Sequence, residues 1–215
     1  EPIALDPPYV SLIASGGHTR LDRVEADGSV QPLGETLDDA AGEAIDKGAR
    51  MLGLGYPGGA ALDALARDGD RDAFSFPVGL TGRSTLDFSF AGVKTALLYL
   101  LRDLGEPGDR LADIAASYQE AVVQPLARRL LRAAEVEEVG AISIGGGVAA
   151  NSRLRELVSE GAEAGGIEVA IPPISLCTDN AAMIGAAAHF ADRVPWPEYL
   201  AQDAMATAPP GGVAT

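Results

Sequence analysis

Tyr9-Val10-Ser11-Leu12-Ile13-Ala14-Ser15-Gly16-Gly17-His18-Thr19 is the stretch whose reading decides the fold. Residues 9–15 form a short, nearly continuous apolar run that stops at Gly16-Gly17, and an extended stretch from Thr19 to Glu25 follows, which together predict a β-hairpin. Ala26-Asp27-Gly28-Ser29 supplies turn residues, and a short third strand is expected around Val30 to Leu33. Two successive glycines let main-chain N–H groups approach an anion that a Cβ would exclude, so the turn is a candidate phosphate holder. A Gly-Gly hairpin is equally the ordinary structural solution to a tight turn. His18 reads as a hydrogen-bonding loop residue rather than a base.

Outward from this meander, Leu37, Ala40, Ala41, Ala44, Ile45, Ala49 and Leu52 recur at helical spacing, with Thr36 as the expected N-cap and an end near Gly53 to Gly55. The same helix carries Asp38, Asp39, Glu43 and Asp46, of which the last three are spaced to share a face. A solvated acidic face and a site for ribose hydroxyls or a cation both fit that spacing. Lys47 and Arg50 follow, where they suit the helix dipole. After Tyr56-Pro57-Gly58-Gly59, a short helix is expected over Ala60 to Arg67, and Asp68 to Ser89 reads as irregular. Helices are predicted from Ala91 to Leu104 and from Asp109 to about Ala134, with Pro125 kinking or splitting the second.

Ala141-Ile142-Ser143-Ile144 has the character of a buried strand and stops at Gly145-Gly146-Gly147. A helix from Asn151 to Ala164, a strand from Glu168 to Ile171 and an Ala-rich helix to about Ala191 follow, and 194–215 reads as coil. The triple glycine with Asn151 places N–H donors and a carboxamide at a strand's carboxyl end, where open α/β sheets bind ligands. It is neither a P-loop nor the spaced dinucleotide fingerprint. Asp179 is either an N-cap or a ligand. His18 and His189 stand too far apart for a local metal pair.

With 215 residues, 47% of them hydrophobic, the chain is long enough to bury a sizeable core. A formal charge of -15 repels polyanions, so any nucleic-acid contact must be local or lent by a partner. One cysteine, Cys177, permits no internal disulfide or thiolate cluster. No apolar run is long enough to cross a bilayer and no charged-then-apolar leader opens the chain, so the expectation is a cytoplasmic, non-membrane protein.

Three strands, helices, then strand, helix, strand, helix is the order of one half of an actin-like ATPase fold. An α/β lobe over 1–193, mainly the second lobe of that superfold plus its returning C-terminal helix, is expected, with a coil tail over 194–215. Six motifs then occur in order: Ser15-Gly16-Gly17-His18-Thr19; Gly34-Glu35-Thr36-Leu37-Asp38-Asp39-Ala40-Ala41-Gly42-Glu43-Ala44-Ile45-Asp46-Lys47; Tyr56-Pro57-Gly58-Gly59; Asp87-Phe88-Ser89-Phe90-Ala91-Gly92-Val93-Lys94-Thr95; Gly146-Gly147-Val148-Ala149-Ala150-Asn151; and Cys177-Thr178-Asp179-Asn180. In this combination the chain resembles the bacterial-type tRNA N6-adenosine threonylcarbamoyltransferase (TsaD) family over about Tyr9 to Gly185.

The resemblance implies transfer of a threonylcarbamoyl group from threonylcarbamoyl-AMP to N6 of adenosine 37 in tRNAs reading codons that begin with A, together with other subunits of a transfer complex. It matches Ile13, Ala14, Ser15, Gly16 and Gly17 to a loop on the adenylate, Asp46, Gly59 and Asp63 to ribose- and adenine-side contacts, and Asn151 to a further contact near the adenine. It matches Asp179 to one ligand of an iron or zinc ion whose other ligands, an upstream His-x-x-x-His pair, precede residue 1. The resemblance therefore implies an incomplete ligand set, no catalysis by this chain alone, and exposed apolar surface on the Ala-rich helix. A non-catalytic scaffold relative is the alternative, and a sugar kinase of the same superfold lacks its acidic base here. No role for Asp87 to Thr95 beyond organising the cleft follows from sequence.

Overall fold

Alternation along the first strand sets the architecture: Val10, Leu12 and Ala14 are buried, while Tyr9, Ser11 and Ile13 face the other side. β1 (Tyr9–Ala14) pairs antiparallel with β2 (Thr19–Val24), which places Leu12 opposite Leu21 and Ala14 opposite Thr19 on the buried face. β3 (Val30–Glu35) continues the meander on β2. β4 (Ala141–Gly145) and β5 (Glu168–Ala170) add in parallel on the far side of β1, giving the order β3-β2-β1-β4-β5. Parallel pairing of β1 with β4 demands a crossover, and the helices between residues 41 and 136 supply it. The computed structural model describes residues 5–80, 85–190 and 194–201; the expected helix end at Ala191 and most of the expected tail lie outside these.

α1 (Ala41–Met51), α2 (Gly58–Ala66) and α3 (Ala91–Leu104) lead to α4 (Leu111–Val136), which lies on β1 and β4, and α5 (Ser152–Gly165) packs on α4 and β5. Tyr118, Val122, Leu126 and Leu130 recur every four residues along α4 and meet Leu12, Ile142 and Ile144 in one core. Removing each such side chain from water contributes about 1.5–3 kcal/mol. α4 runs as a single helix through Pro125, so of the kink or split expected there the split does not occur. Tyr118 also donates from its hydroxyl to the Ala44 carbonyl at 2.7 Å, and burial raises its pKa. Its ring fills the space over Gly48, where a Cβ would lie 2.2 Å from Cε1, so α1 and α4 touch at a glycine.

The first helix departs from expectation at its start. Leu37 is 64% exposed and the helix begins only at Ala41. Thr36 does not cap it; its hydroxyl donates to the Asp39 carbonyl, and its backbone bridges to Phe88. The reason is tertiary: acceptors for the first turn of α1 come from the β1–β2 hairpin, described below.

The chain forms two units, Glu1–Thr178 and Asp179–Thr215, so the Ala-rich helix stands in the second, where the sequence reading had grouped it with the lobe. Within that unit α6 (Ala181–Phe190) is capped by Asn180, whose Oδ1 accepts from the Met183 N–H at 3.0 Å. Residues 181–189 are exposed, Met183 and Ile184 among them. The described part of the tail holds a 3-10 turn at Glu198–Ala201 rather than coil alone.

Candidate functional site

β1 and β4 run in the same direction and end side by side, so the two glycine loops that follow them are neighbours. In the first loop the Ser15 N–H donates to the His18 carbonyl at 2.8 Å, and the Ser15 hydroxyl accepts from the His18 N–H at 3.1 Å and the Gly17 N–H at 3.3 Å. Neither Gly16 nor Gly17 adopts a left-handed φ, and a Cβ built on either meets nothing within 4 Å. The fold itself therefore does not require glycine at these two positions. Gly146 in the second loop is the opposite case: its φ is 85° and a Cβ would lie 2.4 Å from the Ala14 carbonyl oxygen. It lets the second loop press against the end of β1.

The N-terminus of α1 closes on the same place. Its Ala41 N–H donates to Thr19 Oγ1 at 2.8 Å and its Gly42 N–H to the Ser15 carbonyl at 3.1 Å. A Cβ on Gly42 would stand 2.6 Å from that carbonyl oxygen. The hairpin thus satisfies donors that a local N-cap would otherwise take, which is why the cap read at Thr36 is not used.

Asp46 projects from α1 toward the start of α2, where a Cβ on Gly58 would lie 2.8 Å from Asp46 Oδ1. The half-buried Asp46 carboxylate has no hydrogen bond or ion pair among the described residues. Gly59 follows, and Asp63 lies one turn further along α2. Asp63 is buried; Oδ1 accepts from the Ser152 N–H at 3.1 Å and hydroxyl at 2.7 Å, and Oδ2 from Arg67 at 2.8 Å. Asn151, also buried, caps α5 by accepting from the Leu154 N–H at 3.0 Å and donates to Gln119 Oε1 at 2.8 Å. Asp63 and Asn151 hence fasten α2, α4 and α5 to one another, while Asp46 alone of the three keeps its polar atoms uncommitted. A polar cleft of about 170 Å³ opens beside them, lined by Arg67, Gln119, Ser152 and Arg153.

The structure thus brings Ile13 to Gly17, Asp46, Gly59, Asp63 and Asn151 to one end of the sheet. Asp179 belongs to the second unit, is exposed, and leaves the capping of α6 to Asn180. Among the described residues no group of three or more His, Cys, Asp and Glu is placed to hold a metal, and no chemical step is derived through an ion. Cys177, in the first unit, is buried, and burial pushes its thiol pKa up.

The acidic face anticipated on α1 is rearranged. Asp39 precedes the helix and pairs with Lys94 at 2.5 Å and Lys47 at 3.2 Å, and Lys47 also holds Glu43 at 2.6 Å. Hydrogen bonding to Lys94, then to Lys47, keeps the Asp39 carboxyl below its usual range, and Glu43 before Asp39 pushes the Lys47 pKa up to about 12. Asp38 caps α3 from a distance, its Oδ1 accepting from the Phe90 N–H at 2.7 Å. The partnership of residues 38–39 with 87–94 has no signature in sequence, because its members are about fifty residues apart.

Sheet order, parallel β1 and β4, and paired glycine loops at their carboxyl ends define one lobe of an actin-like ATPase (ASKHA) fold. The fold is shared with the crystal structure of full-length HypF in its phosphate- and nucleotide-bound form, at a TM-score of 0.60 and 12% identity over 81% of this chain and 32% of that one. HypF of T. kodakarensis aligns at a TM-score of 0.54 with 22% identity over 76% of this chain and 21% of its own. The sequence profile described as tRNA N6-adenosine threonylcarbamoyltransferase matches residues 1–186, and the chain belongs to that family. The Thermotoga neapolitana relative is 50% identical over 201 residues, covering 93% of this chain and 61% of its own length. The relative from Anaeromyxobacter dehalogenans strain 2CP-1 is 52% identical over 186 residues, 86% of this chain and 56% of its own. The chain therefore spans about three fifths of the curated relatives it matches.

Proposed function

We propose that this chain carries the adenylate-holding part of an enzyme that transfers the threonylcarbamoyl group of threonylcarbamoyl-AMP to N6 of adenosine 37 in tRNAs reading codons that begin with A. The observation that carries the reading is the pair Gly16 and Gly17: glycines that neither backbone conformation nor packing requires, on a turn beside a second glycine loop. The Gly16 N–H, together with N–H groups of the second glycine loop, would hold the AMP phosphate, the Gly17 and His18 N–H groups being bonded to the Ser15 hydroxyl. The free carboxylate of Asp46 would accept from ribose hydroxyls. Attack of the adenosine N6 on the acyl carbonyl forms the new C–N bond and breaks the anhydride C–O bond. AMP leaves with the electron pair and N6 loses a proton, so donors that stabilise the departing phosphate lower the barrier. Asp63 and Asn151 act as the rigid support that keeps Asp46 and Gly59 in place.

Asp179 is proposed as one ligand of an iron or zinc ion, with two histidines outside this chain as the others. When bound, such an ion supplies Lewis-acid polarisation of the acyl carbonyl or phosphate. The setting is proposed to be the cytoplasm, and no helix among the described residues is long and apolar enough to cross a membrane. With a formal charge of -15, the RNA-binding cations are proposed to come largely from other subunits of the transfer complex.

The test supplies threonylcarbamoyl-AMP and unmodified tRNA to this chain, with and without the part of the relatives that lies outside the match. Modified nucleoside is expected only from the completed protein. Product from the chain alone would refute the need for the outside ligands, and none from either would refute the transferase reading. In the completed protein, Asp179→Ala is expected to lower metal content and turnover together; unchanged metal stoichiometry would remove Asp179 from the ligand set.

A further inference from the structure

The segment Asp87–Thr95 takes no part in the proposed chemistry, yet it is fastened to the lead-in of α1 by backbone and side chains alike. The Phe88 N–H donates to the Glu35 carbonyl and the Leu37 N–H to the Phe88 carbonyl, each at 2.9 Å. Asp87 accepts from the Glu35 N–H at 3.1 Å, and Asp38 accepts from the N–H groups of Phe90 at 2.7 Å and Ala91 at 3.3 Å. Phe88 and Phe90 are both buried, with rings stacked 6.2 Å apart. The last tie before α1 is ionic: Lys94 and Lys47 meet on Asp39. Of sixteen Lys and Arg residues these two are the only lysines, and both converge on one carboxylate. A compact ammonium bonds a single crowded oxygen where a planar guanidinium fork fits poorly. The side chains of Asp39 and Lys94 are only 19% and 30% exposed, so the pair is shielded more than an ordinary surface bridge.

Immediately after Asp39 the chain reaches Ala41 and Gly42, whose N–H groups are held by Thr19 and Ser15 of the glycine hairpin. We infer that Lys94 is a positioning residue: across Asp39 it sets where α1 begins, and so holds the first turn of α1, and with it the Asp46 helix, against the Ser15–Thr19 loop. The ligand-binding consequence rests on the adenylate reading above; the mechanical one does not. Lys94 itself touches no nucleotide in this account.

Hydrogen exchange of single amides, with AMP titration alongside, tests it on the intact chain. Lys94→Met is expected to speed exchange at the Ala41 and Gly42 amides by about fivefold or more while Val122 and Leu126 in α4 stay as they were. The same variant weakens AMP binding by a similar factor, and Lys94→Arg, which keeps the charge but fits the crowded oxygen poorly, recovers only part of the protection. Unchanged exchange at Ala41 and Gly42 overturns the inference whatever AMP does. Faster exchange in a protein whose wild type binds no AMP leaves the positioning role standing and defeats the adenylate reading instead. Should Lys94→Met fail to fold, Asp39→Asn puts the same question to the same two amides, with the same two outcomes.

Discussion

Gly146→Ala is expected to lose about 3–5 kcal/mol of folding stability, because two independent faults fall on one methyl group. The residue sits at φ 85° and ψ 171°, a region that is essentially glycine-only. The added Cβ would stand 2.4 Å from the Ala14 carbonyl oxygen and 2.8 Å from its carbon, and these atoms belong to a central strand that cannot shift cheaply. Relief would require the second glycine loop to lift from β1, which would also separate the two loops that form the proposed phosphate cradle. Urea melts measure the effect: the midpoint falls while the slope stays near the wild-type value. A stability within about 0.5 kcal/mol of wild type would contradict the packing described for this loop.

The second large effect separates two aspartates that the family resemblance assigns to the same ligand. Asp63→Ala removes the acceptor for the Ser152 N–H, the Ser152 hydroxyl and Arg67 at a buried junction of α2 with α5. Leaving such donors unmatched costs about 2–4 kcal/mol, so the melting transition should drop clearly and AMP binding with it. Asp46→Ala removes a carboxylate with no protein partner among the described residues. It is expected to leave the melt within about 0.5 kcal/mol and weaken AMP binding alone. Equal destabilisation by both substitutions, or unaltered AMP affinity in Asp46→Ala, would erase the distinction between support and contact.

Features set by neighbours in sequence were legible, and those set by partners far along the chain were not. The hairpin turning at Gly16-Gly17, the strand stopping at the triple glycine and the helix from Ala91 to Leu104 were all carried by local period and turn chemistry. Asn151 at the start of α5 was legible because an Asn N-cap needs only the following turn. Thr36 was misread because a cap supplied by Thr19 and Ser15 leaves no local pattern. The acidic face of α1 reads from sequence as a solvated face or a ligand site because Lys94, the main partner of Asp39, lies on another helix. For the same reason the sequence of Asp87–Thr95 suggests only a part in organising the cleft and does not name Asp38 and Asp39 as its partners. Pro125 failed to break α4 because a helix buried along its length tolerates one missing N–H.

In the proposed function Gly16 and Gly17 are glycine for a ligand rather than for the fold. Calorimetric titration of AMP into the chain and its Gly17→Val variant, with thermal melts of both, tests this directly. The expected result is saturable one-to-one binding by the wild type, abolished in Gly17→Val with the melting midpoint unchanged. Equal affinity in the two proteins, or no saturable binding by the wild type, would contradict it.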